Sequence, residues 1–157
     1  MITQLEKAIV DFLTPVLPEL LVEVYPEHVQ EYHLTHPLGA LLVFYKGSQY
    51  SEFVIGPVCM RAITFVLNLQ MRNLRTHSGA YKVLERVRKK IHGQELCGAT
   101  FHPLKESFVG MKNGIWEYDF EIATSIPAVS AYEYPGDELL AASAQQIDFQ
   151  ESTQEES

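Results

Sequence analysis

Cysteine is scarce in this 157-residue chain: Cys59 and Cys97 are the only two. Each is flanked by apolar or small residues, which leaves nothing on which to build a disulfide framework or a cysteine-based zinc site. Free cysteine tends to be buried, so two buried thiols are expected. Long apolar runs are missing too. Charge or polarity breaks each of them well before the ~20 residues of a bilayer-spanning helix, and no basic stretch leads into an apolar one at the N-terminus. The chain is therefore expected to be soluble and cytoplasm-made, neither secreted nor membrane-bound. The glycine patterns that cradle phosphate are absent, as is the strained Gly-x-Ser-x-Gly elbow that would present a nucleophile to a base. A protein that is not an enzyme, with no cofactor and no metal, is the expectation.

Lysine and arginine are missing from residues 133–157, which hold seven acids: Glu133, Asp137, Glu138, Asp148, Glu151, Glu155 and Glu156. The formal charge of -8 therefore belongs to this segment, because residues 1–132 carry 13 acids against 12 bases and are nearly neutral. Rich in Gln, Ser, Ala and Glu, the segment has too little apolar side chain to offset the entropy of ordering it. It reads as an acidic, flexible tail, in which Leu139, Leu140 and Ile147 could still form a helical turn or two against a partner. Residues 1–132 read as one domain, since 46% hydrophobic content at this length supports a single core.

Within that domain, Thr3 and Glu6 form a capping-box pattern, after which Leu5, Ile9, Phe12, Leu13 and Val16 recur at helical spacing. Pro15 and Pro18 stop this helix. Residues 20–25 read as a short extended piece and residues 39–45 as a central strand closed by Gly47 and Ser48. Over residues 59–71 apolar and polar side chains alternate: Ile63, Phe65, Leu67, Leu69 and Met71 fall on one face, with Thr64, Asn68 and Gln70 on the other. That period predicts a half-buried strand. A second helix opens at Ser78 or Gly79, buries Ala80, Leu84, Val87 and Ile91, and ends at Gly93. Residues 100–110 and 115–124 flank Asn113-Gly114, the dipeptide that best fits a type I′ hairpin turn. The second arm puts Trp116, Tyr118, Phe120 and Ile122 on one face and Glu117, Asp119 and Glu121 on the other. Together these elements predict an α+β fold, a mostly antiparallel β-sheet with two helices packed on one face.

Candidate chemistry is sparse. His33 and His36 are three residues apart just before Pro37, a loop setting without the Glu and i, i+4 spacing of a helical zinc motif. Glu117, Asp119 and Glu121 could in principle hold a divalent cation, although alternation on a solvent-facing strand accounts for them without one. Between Arg72 and Lys90 the chain carries Arg72, Arg75, Lys82, Arg86, Arg88, Lys89 and Lys90 against the single acid Glu85. A basic patch of this kind serves a solvated helix face, a salt-bridged subunit interface or phosphate contact with nucleic acid. The base-reading aromatics of a dedicated nucleic-acid binder are missing around it, and the domain as a whole is not basic.

Several stretches of residues 1–122 resemble the tail terminators of Mu-like contractile-tailed phages and their prophage or tailocin relatives. They are the N-terminal Ile2-Thr3-Gln4-Leu5-Glu6, His36-Pro37 ahead of Gly39-Ala40-Leu41-Leu42-Val43, Gly47-Ser48, the segment from Arg72 to Tyr81, Val87-Arg88 and Gly93. The resemblance implies a structural virion protein: a homo-oligomeric ring, a hexamer, on the head-proximal end of the tail tube. There it would stop tube growth and offer a surface to the neck. Its partners would be tube protein, neck protein and sheath protein, with passing DNA touched only non-specifically in the lumen. Arg and aromatic residues anchor interfaces, which selects Arg72, Arg75, Tyr81 and Arg86, with Lys82, Lys89 and Lys90 beside them and Glu117, Asp119 and Glu121 as a complementary face. Another neck or head-tail connector ring protein is the alternative within the structural class. A nucleic-acid-binding protein using the basic helix and a metal-dependent hydrolase using the three acids are the alternatives outside it.

Overall fold

The structure, a computed structural model, describes residues 1–28 and 33–129. The acidic segment 133–157 lies outside the described residues. The first helix, α1 (Ile2–Leu13), begins earlier than the Thr3/Glu6 pattern predicts. Leu5 N–H already bonds the Met1 carbonyl at 3.0 Å and no side chain caps the start, so Thr3 sits inside the first turn and the capping box does not form. Leu5, Ile9 and Leu13 face inward. At the other end the Thr14 N–H and hydroxyl both turn back to the Val10 carbonyl, and Pro15 follows without an N–H to continue the ladder.

Among the described residues six strands form one sheet in the order β1-β2-β3-β6-β5-β4. They are β1 (Leu21–Val24), β2 (Gly39–Ile55), β3 (Val58–Met71), β4 (Gln94–Leu96), β5 (Ala99–Lys112) and β6 (Ile115–Val129), with α2 (Ala80–Ile91) between β3 and β4. Every pairing is antiparallel except that of β1 with β2. Both helices lie on one face, where Ile9 and Leu13 of α1 and Val83, Val87 and Ile91 of α2 pack against Val43, Phe65, Leu67 and Phe120 of the sheet. The α+β expectation with two helices on one face of a mostly antiparallel sheet is what forms. Asn113 and Gly114 both have positive φ, 54° and 74°, as a type I′ turn requires.

Three local readings change. Gly47 and Ser48 do not close β2; the register slips by one residue between Tyr45 and Gly47, so the glycine marks a β-bulge and the strand runs on to Ile55. β3 is not half-buried along its length. It sits in mid-sheet between β2 and β6, and on the face away from the helices Val66 and Asn68 are still only 3% and 4% exposed. Finally, Cys59 is half-buried and Cys97 exposed, against the expectation of two buried thiols. Cys97 (φ 51°) and Gly98 (φ 76°) form the tight turn joining β4 to β5, and a turn residue faces solvent.

The strands differ in length, and this shapes the molecule. β5 pairs with β6 only as far as His102 opposite Ala123, and β1 pairs with β2 only over Ala40 to Val43. Beyond those points β2, β3 and the end of β6 continue alone as a three-stranded arm, turning at Gly56 (φ 55°) between β2 and β3. The arm is fastened at its base, where Arg61 Nε donates to Ser48 Oγ at 3.0 Å and Tyr45 and Ser48 share a 2.6 Å hydroxyl hydrogen bond.

Candidate interaction surface

The structure divides the basic stretch by task. Arg72 clamps a loop of its own chain, with Nε donating to the His36 carbonyl and Nη2 to the Leu34 carbonyl, each at 3.1 Å. Arg86 pairs with Glu19 and also reaches the Val16 carbonyl at 3.4 Å, which ties α2 to the segment after α1. Arg88 pairs with Glu85 one turn away at 3.0 Å, and this partner is what holds the Glu85 carboxyl below its ordinary pKa. These three arginines are committed inside the subunit. Lys82, Lys89 and Lys90 are exposed on α2 and have no ion pair among the described residues.

The three acids of β6 lie on the opposite face of the sheet from α2. Asn68 Nδ2 donates to Glu117 Oε1 at 2.9 Å and to Asp119 Oδ1 at 2.8 Å, while Asn68 Oδ1 accepts from Gln70 Nε2 at 3.0 Å. Glu121, buried, pairs with Lys46. Burial first, then the nearby charges of Glu117 and Asp119, raise the pKa of Tyr25, whose ring meets Phe44 edge-on at 5.3 Å. Basic helix and acidic strand thus cannot meet within one chain, and the acids already have donors. Among the described residues no three His, Cys, Asp or Glu side chains gather as a metal site would require.

Arg75 and Tyr81 belong to a different feature, an aromatic patch at the β5–β6 turn end of the helix-covered face. The Arg75 guanidinium lies 5.8 Å from the Tyr81 ring centre. Tyr81 meets Tyr118 edge-on at 6.3 Å, Tyr118 meets Phe108 at 5.3 Å, and Phe108 meets Trp116 at 6.2 Å. Much of this surface is open: Phe108 is 55% and Met111 54% exposed. Burial chiefly, then the Tyr81 hydroxyl beside it, raises the pKa of Tyr118, and Arg75 works against them.

Phe108 and Met111 escape a reading of the sequence for a definite reason. Three residues apart on an unbroken strand, they would point to opposite faces. A bulge between Phe108 and Gly110 instead makes them the cross-strand partners of Tyr118 and Trp116, two residues apart on β6 and therefore on one face. Gly110 is the only sequence mark of that bulge, and glycine in a strand is a weak one. Contiguous exposed aromatics beside an arginine mark a protein-contact surface more often than any catalytic site.

A sequence model of the family described as Gp37 protein matches residues 9–145. No curated protein matches the chain.

Proposed function

Because this chain belongs to the Gp37 protein family, a family of phage proteins, we propose that it is a structural, non-catalytic component of the virion and more specifically a tail terminator. In this reading identical copies close into a ring, a hexamer by the resemblance, on the head-proximal end of a contractile tail tube. The ring stops further tube rings from adding and gives the neck its docking surface.

The observation that carries this reading is the placement of two unlike surfaces at opposite ends of one sheet. The Arg75–Tyr81–Phe108–Trp116 patch sits at the β5–β6 turn, and the three-stranded arm projects from the other end. A ring of identical subunits needs two different faces on each copy, because head-to-tail contacts close by rotation. Aromatic side chains and arginine supply most of the energy at such contacts.

The test is light scattering with negative-stain imaging of the purified protein, alone and with tube protein, for the parent chain and for Phe108→Ser and Arg75→Glu. The parent is expected to form rings or to cap tubes at limited length, and each variant to keep its secondary structure while losing that behaviour. A parent chain that leaves tube ends uncapped, or variants that assemble normally, would count against the assignment.

A further inference from the structure

Lys82, Lys89 and Lys90 form a row of unpaired cations on the outer side of α2 among the described residues. Helix electrostatics account for part of it: Arg88, Lys89 and Lys90 fall in the last turn, where the negative end of the helix dipole favours cations. Lys82 is not covered by that argument. It lies in the first turn, where the dipole disfavours a positive charge, and a second cation, Arg75, stands just before the helix.

An occupant of matching charge is present in the same chain. Residues 133–157 carry seven acids and no base. The direction of α2 brings its cationic end toward the point where β6 leaves the body for the arm that precedes that segment. Tyr81 at the start of α2 touches Tyr118 near the β5–β6 turn, whereas Gly93 just past its end bonds the Phe101 carbonyl at 2.9 Å. Phe101 is one residue before His102, whose partner on β6 is Ala123, the point where β6 leaves the body for the arm. From Ala123 to Val129 the arm advances about 20 Å. Residues 130–157 can span up to roughly 90 Å, so Asp148, Glu151, Glu155 and Glu156 reach back to α2 with chain to spare, whereas Glu133, four residues past Val129, does not.

We propose that the acidic segment 133–157 docks on the Lys82, Lys89 and Lys90 face of α2 in its own subunit, and that this contact is electrostatic and released by salt. Contacts between exposed charges are weak one by one and screened within a few ångströms at high ionic strength, so docking and release are both accessible. The inference does not depend on the terminator reading.

The full chain is tested by carbodiimide coupling, which joins an ammonium to a carboxylate only where the two touch, followed by peptide mass mapping. Lys46 and Glu121 are an internal control, since they are already paired. Expected are cross-links from Lys82, Lys89 or Lys90 to acids between Asp148 and Glu156. They should persist on dilution and be lost at about 1 M salt, where the Debye length is near 3 Å. The proposal is overturned if the control pair couples while α2 does not. It is equally overturned if the tail acids couple as readily to Lys7, Lys105 and Lys112, or if the α2 cross-links join two copies and vanish on dilution.

Discussion

Asn68 stands directly opposite Asp119 across the β3–β6 ladder, and its amide nitrogen lies 2.8 Å from the Asp119 carboxylate while holding Glu117 as well. One amide group thus supplies both of its N–H donors to two carboxylates that would otherwise face each other unscreened. Replacing Asn68 with Leu removes both donors at a site that is 4% exposed. The expected loss is about 1–3 kcal/mol, the range for stranding buried polar groups. It is read as a lower urea midpoint at unchanged slope.

Arg72 is a loop clamp, so its substitution should act on the fold. Arg72→Ala removes two hydrogen bonds to the His36 and Leu34 carbonyls. A loss of about 1 kcal/mol is expected, with faster amide exchange at Leu38 and Gly39, whose N–H groups bond His36 Nδ1 in the same loop. Arg72→Lys should not restore protection, since a single ammonium lacks the planar fork that spans two carbonyls. Arg86→Glu likewise should lower stability, because it faces Glu19 with a like charge.

Gly79 precedes α2 so closely against the preceding loop that an added Cβ would lie 2.6 Å from the Leu74 carbonyl oxygen. That obstacle is backbone and cannot rotate away. Gly79→Ala is expected to destabilise by roughly 1–3 kcal/mol, as overpacking does, visible as a lower Tm.

Tyr25 and Tyr118 both have folded-state pKa values raised above the ordinary 10.0. The unfolded chain therefore ionises first. Stability from these groups is intact below pH 10 and is lost as pH climbs through 10 toward their folded values. An ultraviolet phenolate titration should show a late-ionising fraction, reduced in Tyr25→Phe, together with an unfolding midpoint that falls on the alkaline side. Phenolates all appearing together near pH 10 would contradict this.

Cys97 is exposed with φ 51°, a conformation that L-residues adopt reluctantly and glycine freely. Cys97→Gly should therefore be neutral or slightly stabilising, by up to about 1 kcal/mol. In the parent chain a thiol reagent should label Cys97 before the half-buried Cys59.

Elements with strong local signals were legible in the sequence. The alternation from Ile63 to Met71, the stripe of Ala80, Leu84, Val87 and Ile91, and Asn113-Gly114 each map onto the element they predicted. What could not be read was set by register. Gly47 looked like a strand end and is a bulge, because a glycine within a β-branched and aromatic run has the same local signature in both cases. Arg72 and Arg86 were singled out as interface anchors, and their partners within the chain, at His36 and Glu19, are distant in sequence and meet them only through the fold. The aromatic patch was half visible, with Tyr81 and Arg75 picked out but Phe108 and Met111 hidden by the bulge that aligns them.

The place of β6 bears on how the molecule is made. Although last of the described strands, it lies between β3 and β5 and is the ladder partner of both. During synthesis, β2 and β3 can pair as soon as they emerge, but β4 and β5 have no route into that sheet until Ile115 to Val129 leave the ribosome. The nascent chain must therefore carry an unsatisfied inner edge on β3 until β6 has emerged, in a state open to wrong partners. Any shortening that removes β6 would leave two fragments of sheet with nothing between them.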